Sequence, residues 1–180
     1  ELEHIFSEAS PEKVLARLDE IYVPGNLHSA LVGQADVWLA ERFIMAREKV
    51  LEEVSPVIYF SLWLYRLEWT DTEAIGRLLK LTVETMRVLH QVQYVKTQLS
   101  ALEGSGSPSG VVRALDGLLH MTLEVVGLAE NENVRENIQC YLDEYQYVKP
   151  TIGGADLKAQ GVSPGPLFGR ILRRLRDAWL

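Results

Sequence analysis

The sequence predicts an all-α fold, and three observations carry that expectation. Helix starts are marked by capping residues ahead of prolines, apolar residues recur at three- and four-residue spacing, and no run alternates apolar and polar side chains over a strand's length. At 180 residues, with 47% hydrophobic and 24% charged residues and only 13 Gly and 7 Pro, the chain can bury a core and lacks the composition of a disordered segment. The architecture expected is a multi-helix, bundle-like body with a small C-terminal helix-turn-helix tail.

Taken in order, Ser10-Pro11-Glu12 places a capping hydroxyl before a proline at the first helical position, where the missing N–H costs nothing. The helix it opens carries Val14, Leu15, Leu18 and Ile21 and is expected to stop at Val23-Pro24-Gly25. A second amphipathic helix is predicted over 36–54, with Val37, Leu39, Phe43, Ile44, Val50 and Leu51 as its apolar residues. Ser55-Pro56-Val57 opens the most apolar stretch, Pro56 to Leu67; it is too short for the roughly 20 residues of a membrane span, so it is expected as a central helix buried on all sides. Thr70-x-x-Glu73 has capping-box spacing, and helices follow over 72–80, 82–102, 109–118, 119–129 and 131–148. Glu103-Gly104-Ser105-Gly106-Ser107 reads as a flexible connector, and Ser107-Pro108 restarts the helical pattern after it.

Candidate chemistry in this body yields to structural readings. The four histidines, His4, His28, His90 and His120, show no i, i+4 pair of the kind that holds a metal on one helix face, so no metal site is expected. Cys140, the single cysteine, cannot form an internal disulfide and falls in the apolar row of Val134, Ile138, Tyr141 and Leu142, which predicts a buried structural thiol. Asp71-Thr72-Glu73 imitates an acid-x-acid metal pair but stands at a helix start, where acids favour the dipole. Tyr59, Phe60, Trp63 and Tyr65 sit among apolar neighbours and are expected in the core rather than as base-stacking platforms. No phosphate-cradling loop, serine elbow or dinucleotide fingerprint occurs, and no catalytic residue is assigned. With no signal segment visible and one cysteine, a cytoplasmic setting is expected, without a membrane.

Charge is unevenly spread. Residues 149–180 hold Lys149, Lys158, Arg170, Arg173, Arg174 and Arg176 against Asp156 and Asp177, a net +4, which leaves −11 on the other 148 residues of a chain whose total is −7. An acidic body therefore carries a basic tail. In that tail, Gly153 to Gly161 predicts a short helix with a glycine stop; Val162-Ser163-Pro164-Gly165-Pro166 turns the chain into a second helix, Leu167 to Leu180. Gly165 would allow close backbone approach, and free N–H groups at Leu167 to Gly169 could seat a phosphate flanked by arginines. A Pro/Gly-punctuated connection with solvated arginines explains the same residues.

The string from Gly154 to Leu175, GADLKAQGVSPGPLFGRILRRL, with Asp156, Gly161, Pro164, Gly165, Pro166 and Gly169, resembles the C-terminal signature of bacterial class II tRNA nucleotidyltransferases, most nearly the A-adding and poly(A)-polymerase-type members. More weakly, Glu1-Leu2-x-x-Ile5-Phe6 with Ser10-Pro11-Glu12-x-Val14-Leu15-x-x-Leu18 is similar to the family's neck, and Ser107 to Leu115 to a helix start in its body. The resemblance implies the end of a helical neck over 1–35, a helical body over 36–148 and a basic tail over 149–180. It implies a region that holds the acceptor and TΨC arm of tRNA by backbone contacts, with Lys158, Gly165, Arg170, Arg173 and Arg174 at the RNA. The family's head carries its metal-binding acids, and its neck a template motif selecting ATP or CTP; neither is present here, so Mg2+ and nucleotide are expected only in a parent with an N-terminal catalytic domain missing from this chain. A purely structural domain docking on its parent, or a helix-hairpin-helix DNA binder, are the competing readings.

Overall fold

The computed structural model describes residues 2–49, 54–104, 107–161, 163 and 165–180, and for Leu2 and Glu3 the backbone alone. Val50 and Leu51 of the expected second helix, Ser105 and Gly106 of the connector, and Val162 and Pro164 of the tail turn lie outside these residues. Among the described residues the elements are helical and no strand occurs. In chain order the α-helices are α1 (Leu2–Phe6), α2 (Pro11–Glu20), α3 (Val23–Leu27), α4 (Val37–Lys49), α5 (Pro56–Leu64), α6 (Trp69–Leu78), α7 (Val83–Lys96), α8 (Leu99–Leu102), α9 (Pro108–Leu115), α10 (His120–Ala129), α11 (Glu132–Asp143), α12 (Gly154–Ala159) and α13 (Pro166–Trp179). They form two compact units, one of residues 1–97 and 118–130, the other of 98–117 and 131–180.

The first unit is built around α5. Residues Ile58 to Leu64 are all buried, which is what a segment without a charged residue requires. Ser55 accepts the Val57 N–H and so caps the helix as expected. Aromatic rings fill the space beside α5: Phe6 lies 4.4 Å from Phe60 edge to face, and Phe43 lies 4.6 Å from Tyr59. Each such pair adds roughly 0.5–1.5 kcal/mol beyond the area it buries. The ring quartet Tyr59, Phe60, Trp63 and Tyr65 is thus core, as the sequence predicted.

Around α5, α4 and α7 each offer a stripe at helical spacing. In α4 the buried residues are Leu39, Phe43 and Ala46; Val37 and Ile44, expected on that face, are 74% and 43% exposed because they stand off this i, i+4, i+7 row. In α7 the stripe is Thr85, Val88, Leu89, Val92 and Val95. Gly76 of α6 faces the Met86 side chain of α7, which would have to shift to admit a Cβ there. Polar ties close the unit: Arg47 of α4 grips Glu12 of α2 through two bonds of 2.7 and 2.9 Å, and the Gln91 side-chain oxygen accepts both the Leu119 N–H and the Thr122 hydroxyl, capping α10 from a neighbouring helix.

Several boundaries move from their sequence-predicted places, each for a physical reason. Val23-Pro24-Gly25 does not end the helical run but forms α3; the break comes one residue earlier, where Tyr22 adopts φ 59, and Pro24 is accommodated in the first turn. The helix at Trp69 starts before Thr70, so Thr70-x-x-Glu73 lies inside it and caps nothing; Glu73 instead pairs with Arg77 at 2.8 Å. Ser10 likewise precedes a proline-opened helix without a side-chain cap bond. The expected 82–102 helix divides into α7 and α8, and Thr97 turns its hydroxyl back onto the Tyr94 carbonyl at the division.

The second unit packs Leu102, Val111, Val112, Ala114, Leu115, Val134, Ile138, Tyr141 and Leu157 together as its buried apolar residues. Ser107 accepts the Gly110 N–H to cap α9, and Asn131 accepts the Val134 N–H to cap α11. The last expected body helix ends at Asp143, and a single 3-10 turn over Tyr145–Tyr147 continues it. Cys140 is only half-buried, not buried as predicted: it neighbours the packed row of Val134, Ile138 and Tyr141 but stands at its edge.

Candidate nucleic-acid interface

The tail folds as two helices. In α12, Asp156 accepts the Gly153 N–H at 2.8 Å, satisfying a donor at the helix start, and Leu157 is its buried anchor. Gly161 stops the helix in the left-handed region, φ 83, as the sequence anticipated. The two helices touch at Gly154, whose added Cβ would lie 3.3 Å from the Phe168 ring, so a glycine sets how closely α13 approaches.

In α13 the periodicity sorts charge from oil. At about 100° per residue, Phe168, Ile171, Leu172 and Leu175 fall on one side, and Arg170, Arg173 and Arg174 on the other within an arc of about 100°. The four apolar residues are half-buried and the three arginines exposed. None of the three has an ion-pair partner among the described residues. Leu167, Arg170, Ile171, Arg173, Arg174 and Asp177 line a shallow hollow of ≈ 300 Å³ along the helix. Asp177 is the acid within this cationic arc, leaving its net charge at +2.

The remaining expected site residues are placed differently. Lys158 is exposed in the last turn of α12 and does not line the arginine hollow. Gly165 is exposed and extended, φ 168, and a Cβ there would meet nothing, so neither strain nor internal crowding calls for glycine. The free N–H groups expected from Leu167 to Gly169 reduce in number: those of Phe168 and Gly169 donate to the Gly165 carbonyl at 3.0 and 3.4 Å, the tight first turn that Pro166 preorganises.

Arg176, the fourth arginine of the helix, points elsewhere. Its guanidinium donates to Asp116 at 3.1 Å and reaches the Gln146 carbonyl at 3.5 Å, and its side chain is 24% exposed. Asp116 also accepts from the Tyr141 hydroxyl at 3.4 Å; burial, with the Asp116 charge, raises the Tyr141 hydroxyl above its ordinary pKa. Sequence reasoning assigned Asp116 nothing, and the 60 residues separating it from Arg176 leave no local signal that could have done so.

In the first unit, exposed Arg77 is engaged with Glu73, while Lys80 stands at φ 54 in the α6–α7 turn and Arg87 is exposed. Among the described residues no three His, Cys, Asp or Glu side chains gather as a metal cluster, and no helix is long and apolar enough to cross a membrane.

No family model and no curated protein matches the sequence. Two solved structures share its fold. One is a Thermotoga maritima CCA-adding enzyme complexed with tRNA-CCA, with a TM-score of 0.70 and 17% identity over 99% of this chain and 45% of that one. The other is a CCA-adding enzyme in complex with ATP, with a TM-score of 0.65 and 16% identity over 96% of this chain and 43% of that one. The chain thus spans less than half the length of the structures it resembles, and at this identity the likeness is one of fold.

Proposed function

We propose that this chain is the tRNA-binding helical region of a tRNA nucleotidyltransferase that adds nucleotides to the tRNA 3′ end. The observation that carries the reading is the exposed arginine face of α13, without ion-pair partners among the described residues, on a chain whose fold follows CCA-adding enzymes over almost its full length. Planar guanidiniums suit phosphate oxygens bidentately, and a cationic helix face with no base-reading group binds by backbone and shape. Arg170, Arg173 and Arg174 neutralise phosphates of the acceptor/TΨC arm; Lys158 and the open backbone at Gly165 extend the contact. The chemistry resides in a separate catalytic domain of the parent, where Mg2+ and ATP or CTP bind, and the setting is cytoplasmic.

Competition tests the reading: labelled tRNA bound to this chain should be displaced by unlabelled tRNA and poorly by a DNA duplex of equal length. Duplex DNA winning would favour a helix-hairpin-helix DNA binder instead. One observation favours a second reading, a domain that docks on its parent without RNA. Ile21, Tyr22, Val23 and Val32 are 55%, 71%, 37% and 55% exposed, and Tyr22 and Val32 share one surface hollow of the first unit. That reading expects no tRNA affinity at any salt concentration.

A further inference from the structure

We propose that Asp116 is a positioning residue for the RNA-binding arginines: a carboxylate latch that fixes the rotation of α13 by holding Arg176. The role rests on the tRNA-binding reading above, and it deepens that reading by separating the arginine that orients the helix from those that meet phosphate.

α13 is held lightly. Not one of its side chains is fully buried, so its apolar side supplies only a shallow seat. Near its N-terminal end, the contact of Phe168 with Gly154 fixes the approach to α12. Two turns further on, Arg176 reaches Asp116, which follows the last residue of α9 in an extended conformation. That same carboxylate accepts from Tyr141 of α11, and the second guanidinium nitrogen of Arg176 meets the Gln146 carbonyl in the 3-10 turn. One acid thus ties α13 to α9 and α11, and Arg176 projects from the side of α13 away from Arg174.

Latch and charge make opposite predictions. A carboxylate near a cationic face repels RNA, so on charge alone Asp116→Asn strengthens tRNA binding or leaves it unchanged. With the latch broken, α13 spends part of its time in other orientations, and apparent affinity falls by the fraction that remains competent. The bound complex keeps the same phosphate contacts, so the dependence of log Kd on log salt retains its slope.

The experiment measures tRNA binding over a salt series for the 180-residue chain and its Asp116→Asn and Asp116→Glu variants, with amide hydrogen exchange of each protein alone. Expected are a roughly three- to tenfold weaker Kd for Asp116→Asn at unchanged slope, recovery in Asp116→Glu, and faster exchange confined to α13 while α5 and α7 stay protected. Equal or tighter binding by Asp116→Asn with unaltered α13 exchange overturns the proposal. If the unsubstituted chain itself binds no tRNA, the RNA-binding reading fails and the positioning role with it, whereas the exchange comparison still reports whether the latch exists.

Discussion

Replacing Glu12 with Gln should destabilise the first unit markedly although only one charge changes. The Glu12 side chain is 9% exposed and receives both bonds of the Arg47 guanidinium, at 2.7 and 2.9 Å; Arg47 is 28% exposed, and the bonds to Glu12 hold its pKa above the ordinary arginine value. Removing one partner of a fully buried pair costs about 3–5 kcal/mol, because the other charge stays behind without compensation. Solvent at Arg47 lowers this to about 2 kcal/mol. At roughly 3 °C per kcal/mol for a chain of this size, the midpoint of thermal unfolding followed by circular dichroism should fall by about 6 °C. Combining the change with Arg47→Met should restore part of the loss, since the double variant buries no orphaned charge. A fall below about 1 °C for Glu12→Gln, or strict additivity in the double variant, would refute the view that this pair joins α2 to α4.

Two further predictions concern capping and pH. Ser55→Ala and Ser107→Ala should each cost about 1 kcal/mol in urea unfolding, whereas Ser10→Ala, whose hydroxyl makes no cap bond, should cost clearly less; equal losses at all three would contradict the assignments. Burial, reinforced by its bond to the Glu130 carboxylate, raises the Tyr65 hydroxyl pKa, so the folded chain keeps a proton that the unfolded chain releases above about pH 10. Stability contributed by Tyr65 is therefore complete below about pH 10 and is lost as pH rises beyond it, and Tyr65→Phe should flatten the decline measured by urea titration between about pH 9 and 11.

Where local chemistry decides, the sequence was readable. Ser55 and Ser107 cap the helices that the prolines after them open, although Ser10 before Pro11 does not, and α5 is buried because its sequence offers no polar face. Where distant residues decide, it was not. The cap on α10 comes from Gln91 on another helix, and the Thr70 box was displaced because α6 begins at Trp69. The site divides the same way. Exposure of Arg170, Arg173 and Arg174 follows from the amphipathic period of α13 alone, but nothing near Arg176 signals that Asp116 claims it. Gly165 is the counter-example to reading a glycine from composition: its extended backbone meets no neighbour, so nothing within the fold requires glycine there.

The central claim, that α13 grips tRNA phosphates through three arginines, is tested most directly by the salt dependence of tRNA binding for the chain and its Arg170→Ala/Arg173→Ala/Arg174→Ala variant. Each lost phosphate contact removes about 0.7–0.9 from the slope of log affinity against log salt. The account predicts that the triple variant binds more weakly at low salt with a slope shallower by roughly two to three. An unchanged slope in the variant, or no binding by the unaltered chain at low salt, would contradict it.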